Sequence, residues 1–366
     1  MASGYYGCRG GKSAAKALGD SGGNIFWRDG AILETDGFCG LGMNRRRGAK
    51  LTENDHPRTT RQTPNTSSQV RVFKKLPAHL PLEARYLLWQ GDTERLIDRA
   101  LAQNKKFNLI ITSPPYNLGK EYEARQKLDE YLRWQSSIIH KTVGLMAPNS
   151  SICWQVGNYV ENGSIQPLDL LLHSYFEAEG LRLRNRIIWR FGHGLHCHKR
   201  FSGRYEVILW YTNGDDYTFD LDAVRIPSKY PGKKSFKGPN AGQCSSNVKG
   251  KNPEDVWDNI PNVKANHVEK TNHPCQFPIG LPERLILALS KEGDTIFDPF
   301  CGVGSTGAAA ALHKRFFWGC DFVPGYIVLA EERIGLALLD KLSYRRHDKP
   351  LYDYRTSKLS KRPEQL

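Results

Sequence analysis

The chain is predicted to have an α/β fold, in which helices flank a mostly parallel sheet of seven strands. Two observations predict this class. From Leu82 onward, short runs rich in β-branched and aromatic residues alternate with segments that have helical spacing. Farther along, the apolar run 294–300 leads through a Gly-rich turn into an Ala-rich helix, and this strand–turn–helix order is typical of parallel sheets.

The predicted strands are short and apolar, as strands buried on both faces are. They are residues 86–92, 107–113, 150–157, 184–191, 205–212, 294–300 and 315–321. Three longer segments space their apolar residues three and four positions apart, which is typical of amphipathic helices. These segments are residues 128–146, 282–292 and 324–342. Residues 213–270 are dominated by Gly, Pro, Asn and Lys, which predicts an irregular excursion from the sheet.

The positive charge of the chain is concentrated at its two ends. Of the net charge of +14, residues 1–80 contribute 13 Lys and Arg against 6 Asp and Glu, and residues 341–366 contribute 8 against 3. We expect a basic N-terminal segment with little stable structure and a basic, solvated C-terminal tail. This charge permits a polyanionic partner, but the nearly neutral residues 81–340 must carry any chemistry.

Cysteine usage and hydropathy indicate a reducing compartment. The eight cysteines are scattered without a C-x-x-C pair, so we expect reduced thiols that are mostly buried. No run approaches the roughly 18 apolar residues of a membrane span, and the N-terminus lacks the apolar stretch of a signal peptide. The expected location is therefore the cytoplasm, with no membrane partner.

The first motif with a chemical meaning is DPFCGVGSTGAAAAL, residues 298–312. Gly302 and Gly304 let the backbone turn sharply and approach a ligand, while the N-terminus of the following helix favours an anionic group. The next strand ends at Asp321, whose carboxylate can accept hydrogen bonds from both hydroxyls of a ribose. This pairing predicts a site for an adenosine-containing cofactor.

The second motif is TSPPYN, residues 112–117, which directly follows the apolar strand FNLII. It therefore emerges at the carboxyl end of a strand, where open α/β sheets place their ligands. Pro114 and Pro115 stiffen the loop, and the carbonyl oxygens of Ser113 and Pro114 can act as acceptors beside the ring of Tyr116. This arrangement suits an aromatic amine as substrate.

The exocyclic nitrogen of cytosine or adenine is a poor nucleophile because its lone pair is delocalised into the ring. If Ser113 Oγ and the Pro114 carbonyl each hold one N–H, the nitrogen becomes more pyramidal and can attack a methyl donor in line. No covalent intermediate is required. Tyr116 would stack on the target base, which must leave the duplex to be reached.

These two motifs together resemble the amino-group DNA methyltransferases of bacterial restriction–modification systems. The resemblance is to their β arrangement, in which S-P-P-Y precedes the D-P-F-x-G-x-G turn. It implies a Rossmann-like, S-adenosylmethionine-dependent methyltransferase fold with circularly permuted motif order, covering a catalytic domain at 81–340. The catalytic residues it implies are Ser113, Pro114, Pro115 and Tyr116.

The same resemblance implies where each part of S-adenosyl-L-methionine would bind. The methionine half is assigned to Asp298, Phe300, Gly302 and Gly304, the ribose to Asp321, and the adenine amino group to Asp92. It further implies double-stranded DNA as partner, a nucleoid-associated location and a cognate restriction endonuclease as genetic partner. The excursion at 213–262 would be the target-recognition insertion.

Three functions remain open at this stage. Ser113 at the start of the P-P-Y loop favours methylation of N4 of cytosine, since the adenine enzymes that the chain resembles more often carry D-P-P-Y. The alternative is methylation of N6 of adenine. A protein of a different class would bind DNA without catalysis and use the cofactor as a regulator, but the intact Ser-Pro-Pro-Tyr loop argues against it.

Several other signals have simpler interpretations. Pro274-Cys275-Gln276 resembles the nucleophile motif of 5-methylcytosine enzymes, but it precedes the cofactor turn rather than following it, so a buried Cys at a helix entry is predicted. His193, His196 and His198 around Cys197 lack a complementary cluster, so we predict no metal and a basic loop facing DNA. The tryptophans at 154, 189, 210 and 257 are expected to serve packing.

Overall fold

The computed structural model describes residues 69–119, 125–192, 194, 196–264 and 266–356, apart from the side chain of Tyr354. The expectations for residues 1–68, for His193 and for residues 357–366 lie outside this part. Within it, no helix is long and apolar enough to cross a membrane.

The described part of the chain contains eleven strands and six α-helices. The strands, β1 to β11, are Val70–Phe73, Tyr86–Gln90, Phe107–Thr112, Met146–Val156, Asn158–Glu161, Ser164–Pro167, Arg182–Arg190, Tyr205–Thr212, Val256–Trp257, Thr295–Asp298 and Phe316–Asp321. The helices, α1 to α6, are Thr93–Ala102, Leu128–Val143, Leu168–Ala178, Gly280–Leu289, Ser305–Leu312 and Pro324–Leu338.

Nine of these strands form one sheet in the order β1-β2-β11-β10-β3-β4-β8-β7-β9. All neighbours are parallel except β4–β8 and β8–β7. The predicted mostly parallel arrangement and all seven predicted strands are confirmed, but the predicted number of strands is wrong. The sheet gains β1 and β9 at its edges, and these segments of four and two residues are too short to show a periodic pattern.

Strand β1 also corrects the expectation for the N-terminal segment. Residues 70–73 pair with β2 in parallel, and Val70 is buried, so the ordered fold begins before residue 81. The C-terminal tail is likewise corrected in its first part. Tyr344 donates its hydroxyl hydrogen to Glu283 at 2.9 Å, and the backbone N–H of His347 donates to the same carboxylate at 2.7 Å.

Helices cover both faces of the sheet, because the two sides of each strand are apolar. One core cluster joins residues such as Leu109 and Ile111 to α4, α5 and α6. The other joins residues such as Leu87 and Ile110 to α1, α2 and α3. The alternation of strand side chains between the two clusters is the period of two expected for a strand. The result is a three-layer α/β/α fold.

The predicted helices are confirmed as α2, α4, α5 and α6, whereas α1 and α3 were not anticipated. Both missed helices are short, with ten and eleven residues. Helix α1 begins at an N-cap, since Asp92 Oδ1 accepts a hydrogen bond from the Glu94 N–H at 3.0 Å. The described residues of the predicted excursion, 213–264 and 266–270, are irregular as predicted, apart from the short turn of helix Asp222–Val224 and strand β9.

The chain reverses its direction of winding between β10 and β3, which are neighbours in the sheet. From β10 the chain crosses to β11 on one side, and from β3 it crosses to β4 on the other. Ligands of open α/β sheets bind in the crevice at such a switch point, beyond the carboxyl ends of the strands. Both sequence motifs begin at these two strand ends.

Candidate active site

A cleft of about 530 Å³ opens at this switch point. Its wall is formed by residues that follow the carboxyl ends of five parallel strands or lie beside them, together with the loop before α4. The predicted site residues that line it are Asp92, Ser113, Pro114, Pro115, Tyr116, Phe300, Gly302 and Asp321. Asp298 and Gly304 are not among the lining residues.

The proline-stiffened loop is held by two hydrogen bonds and one packing contact. Ser113 Oγ and the Tyr116 hydroxyl lie 2.7 Å apart. The Pro115 carbonyl accepts a hydrogen bond of 2.8 Å from the hydroxyl of Tyr131 on α2. The ring of Tyr116 packs against Gly157, where a Cβ atom would lie 3.2 Å from the ring. The loop is thus preorganised before any substrate binds.

A carboxylate that the motifs did not include completes this cluster. Glu206 Oε2 accepts hydrogen bonds from the Tyr116 hydroxyl at 3.2 Å and from Gln155 Nε2 at 2.6 Å. Burial raises the pKa of Glu206, against the lowering effect of these two hydrogen bonds. Burial and the neighbouring Glu206 raise the pKa of the Tyr116 hydroxyl well above its ordinary value. A chain of hydrogen bonds therefore links Ser113 to a proton-accepting group.

Asp298, at the end of β10, holds the two motifs together from beneath. Its side chain is fully buried, and it accepts hydrogen bonds from Thr112 at 2.8 Å, Thr306 at 2.7 Å and the Phe300 N–H at 3.1 Å. Burial raises the pKa of Asp298 to about 6. The carboxylate of Asp298 therefore points into the packed interior and does not line the cleft, and the assignment of Asp298 to the cofactor stays a prediction.

The glycine turn has two parts with different roles. Gly302 (φ +50°) lines the cleft, and a Cβ atom there would approach His273 Nε2 at 3.3 Å. Gly304 (φ +74°) caps helix α5, and a Cβ atom there would lie 2.8 Å from the Cβ of Ala330 on α6. Gly304 therefore allows the close approach of α5 and α6, and its assignment to the cofactor stays a prediction.

Two carboxylates lie at the ends of adjacent parallel strands. Asp321 ends β11, and Asp92 follows β2 by two residues; Gln90 pairs with Asp321 in the register. Asp321 accepts hydrogen bonds from the N–H groups of Val323 at 2.8 Å and Gly302 at 3.0 Å. Burial raises the pKa of Asp321 to about 6, against the effect of these bonds.

Aromatic side chains form the opposite boundary of the cleft. Phe300 contacts Trp134 of α2 edge to face, with ring centroids 5.7 Å apart. His273 packs against Tyr326 at 4.5 Å and accepts a hydrogen bond from the Cys275 N–H at 3.1 Å through Nδ1. Burial lowers the pKa of His273 to about 4, so this imidazole is neutral at pH 7.

Sequence reasoning missed Glu206, Gln155, Trp134 and His273 as residues of the cleft. For Glu206 a signal did exist, because an acidic residue near the start of an otherwise apolar strand has to find a partner or a function. The others come together only through strand pairing and helix docking, which no local pattern reports.

The predictions for cysteine, histidine and tryptophan have mixed outcomes. Cys275 is exposed and lines the cleft; the expectation of burial is wrong because its loop lies over the glycine turn, outside α4. Among the described residues no cluster of His, Cys, Asp or Glu could hold a metal. All four tryptophans are buried as predicted, although Trp189 also contributes to the cleft wall.

The groups that line the cleft suit an adenosine-containing methyl donor. Asp321 and Asp92 offer carboxylate oxygens as hydrogen-bond acceptors, Phe300 and Trp134 offer an apolar face, and Gly302 allows close approach of the backbone. The acceptor loop stands beside this half of the cleft. Fold and site thus define a transferase that combines a nucleotide-like cofactor with an amine substrate.

Comparison with known proteins identifies the family. Residues 107–332 match a family model described as DNA methylase. Type II methyltransferase M.BglII of Bacillus subtilis is 41% identical over 257 residues, which are 70% of this chain and 70% of that protein. DNA adenine methyltransferase YhdJ of Escherichia coli (strain K12) is 30% identical over 248 residues, covering 65% of this chain and 81% of that protein.

A solved structure agrees on the fold. The PvuII DNA methyltransferase (cytosine-N4-specific) superposes with a TM-score of 0.51 over 71% of this chain and 93% of that chain, at 18% identity. The chain belongs to the DNA methylase family. It is an S-adenosylmethionine-dependent DNA methyltransferase of restriction–modification type, which acts on N4 of cytosine or N6 of adenine.

Proposed function

We propose that this enzyme methylates N4 of cytosine in double-stranded DNA, at a specific site and with the target base flipped out of the duplex. The observation that carries the proposal is the side chain at the head of the Pro-Pro-Tyr loop. It is the neutral hydroxyl of Ser113, which is hydrogen-bonded to Tyr116 and through it connected to Glu206. A carboxylate does not occupy this position.

The residues of the loop orient the amine. One N–H of the base would donate to Ser113 Oγ and the other to the Pro114 carbonyl, which directs the nitrogen lone pair toward the cofactor half of the cleft. S-adenosylmethionine supplies an electrophilic methyl group when bound. The amine must lose one proton as the new bond forms, and Ser113, Tyr116 and Glu206 provide a path for it to a carboxylate.

The cofactor would be held by Asp321 at its ribose, by Asp92 at its adenine amino group, and by Phe300 and Gly302 near its methionine half. Each of these residues lines the cleft. Tyr116 would stack on the flipped base, with its ring supported from behind by Gly157.

Methylation of N6 of adenine is the second candidate function. It is favoured by the 30% identity to a relative described as a DNA adenine methyltransferase. Both bases present an amino group beside a ring nitrogen, so the same loop could orient either one. A non-catalytic, cofactor-regulated DNA-binding protein is disfavoured, because the acceptor loop and its proton path are intact.

The irregular segment 213–262 is the proposed target-recognition region. Its exposed lysines are Lys229, Lys233, Lys234, Lys237 and Lys249. Such a surface suits contact with DNA phosphates, which position a protein on the duplex. DNA as substrate also implies a nucleoid-associated location in the cytoplasm, and the restriction–modification context implies a cognate endonuclease as genetic partner.

One experiment tests the proposed base. The enzyme is incubated with methyl-labelled S-adenosylmethionine and unmethylated DNA, the DNA is digested to nucleosides, and the labelled product is identified by mass spectrometry. N4-methylcytosine is expected. N6-methyladenine would establish the second candidate instead, and absence of label with intact cofactor binding would favour the non-catalytic protein.

A further inference from the structure

The connection between β7 and β8 carries an exposed aromatic side chain at its tip. Phe201 is 100% exposed, which is unusual for a residue that gains free energy from leaving water. The turn that presents it is closed by a hydrogen bond of 3.0 Å from the Cys197 N–H to Ser202 Oγ. The tip is therefore a shaped turn with a large apolar group directed outward.

The base of this connection belongs to the wall of the active-site cleft. The Phe191 N–H donates to the Arg204 carbonyl at 2.9 Å, which joins the two arms. Phe191 and Gly194 on one arm and Glu206 at the end of the other line the cleft. The base of the connection is thus part of the cleft wall, and Phe201 lies five residues before Glu206 in the chain.

The residues that precede Phe201 are basic. They are His198, Lys199 and Arg200, and all three are exposed. Such cationic residues attract phosphates, whereas a phenyl ring gains nothing from them. An apolar side chain next to basic residues is the pattern that proteins use when they insert a wedge between stacked bases.

We infer that Phe201 enters the DNA base stack and fills the gap left by the flipped target base. This inference rests on the base flipping of the proposed function. The flipped base stays attached to the backbone beside the gap that it leaves, so the wedge must come from an element next to the cleft that receives the base. The connection that carries Phe201 contributes to the wall of that cleft. Stacking of the phenyl ring on the neighbouring bases offsets part of the cost of opening the pair.

The test separates the opening of the base pair from the other steps. The methylated site is first located by sequencing DNA treated with the wild-type enzyme. Two synthetic duplexes then carry that site, one with the target base correctly paired and one with it opposite a mismatched base. A mismatched base flips at lower cost, so it depends less on a wedge. The quantity measured is the ratio of kcat/KM on the mismatched duplex to kcat/KM on the paired duplex.

Phe201→Ala is expected to lower kcat/KM on the paired duplex by roughly 10-fold to 100-fold and to change it little on the mismatched duplex, so that the ratio rises. Phe201→Trp should restore the wild-type ratio. Leu170→Ala is the matched control, since Leu170 is an exposed apolar residue of α3 outside the cleft wall, and it should leave the ratio unchanged.

Other outcomes would overturn the inference. An equal loss on both duplexes would make Phe201 an ordinary contact. A raised ratio for Phe236→Ala alone would assign the wedge to Phe236, which is 97% exposed in segment 213–262. Failure of the wild-type enzyme to methylate any DNA in the first step would overturn the proposed function and the wedge together, whereas the first two results would overturn the wedge only.

Discussion

Thr112 and Asp298 are joined by a hydrogen bond of 2.8 Å, although 186 residues separate them in the chain. Thr112 directly precedes the acceptor loop, and Asp298 directly precedes the glycine turn. The bond ties the acceptor loop to the glycine turn. Both partners are buried, so water cannot replace either one.

Thr112→Val removes the hydroxyl donor at nearly constant volume. We expect it to lower the free energy of unfolding by about 1–3 kcal/mol, because the buried Asp298 carboxylate loses one of its three hydrogen bonds. Denaturant unfolding measures this change. Thr142→Val is the control, since the Thr142 hydroxyl is among the buried groups of the described chain that lack a hydrogen-bond partner. Equal losses for both variants would contradict the role of the bond.

Gly304→Ala is expected to destabilise the protein more than Gly180→Ala. Both glycines have nearly the same φ, +74° and +73°, so both variants meet the same backbone strain of about 1 kcal/mol. Only Gly304 faces a neighbour, with Ala330 Cβ at 2.8 Å from the added atom. The difference between the two unfolding free energies therefore measures the close approach of α5 and α6. Equal losses of unfolding free energy in the two variants would show that α5 and α6 move apart without a measurable cost.

Cofactor affinity should depend on pH through Asp321. Since burial raises its pKa to about 6, the carboxylate is ionised at pH 8 and gains a proton as the pH falls below 6. A protonated oxygen no longer accepts from a ribose hydroxyl, so the Kd for S-adenosylmethionine should rise below pH 6, by about tenfold per pH unit at most.

Calorimetric titration between pH 5 and 8 measures this dependence. Asp321→Asn should bind more weakly at pH 8 and lose the dependence, because the amide does not titrate in this range. Asp298, whose pKa is also about 6, remains in that variant. A full pH dependence in Asp321→Asn would therefore assign the effect to Asp298 or to another group.

Ser113→Ala is expected to lower kcat by about 100-fold while the Kd for the cofactor stays unchanged, because it removes an acceptor for the amine and the first member of the proton path. Glu206→Gln should lower kcat similarly. If both act through Tyr116, the double variant should be little worse than either single variant. Single-turnover methylation measures all three, and additive losses would separate the two roles.

Cys275→Ala should retain methyl transfer. The thiol lines the cleft, but direct transfer to an amine needs no covalent bond to the base, and the side chain at this position makes no contribution to the proton path. A labelled-methyl assay compares the variant with the wild-type enzyme. Complete loss of activity in a folded, cofactor-binding variant would support Cys275 as a nucleophile, which the order of the motifs argues against.

Much of the site could be predicted because its main parts are local. Ser113 to Tyr116 follow a strand directly, and their positions depend on four consecutive residues with two prolines. Asp321 likewise lies at a strand end, and Gly302 lies in a turn, and the sequence predicts both features. Asp298 shows where this reasoning stops, because the motif does not reveal that its carboxylate is buried and hydrogen-bonded to Thr112 and Thr306.

The sequence alone determined the fold class, the order of the two motifs and the identity of the acceptor loop, since each follows from the alternation of apolar runs and from turn chemistry within a few residues. Tertiary structure decided which side chains meet. Glu206 reaches Tyr116 only because β8 lies antiparallel beside β4, whose Gln155 binds the same carboxylate. Hydrogen bonds act over about 3 Å, so partners distant in the chain are found only when strand pairing brings them together.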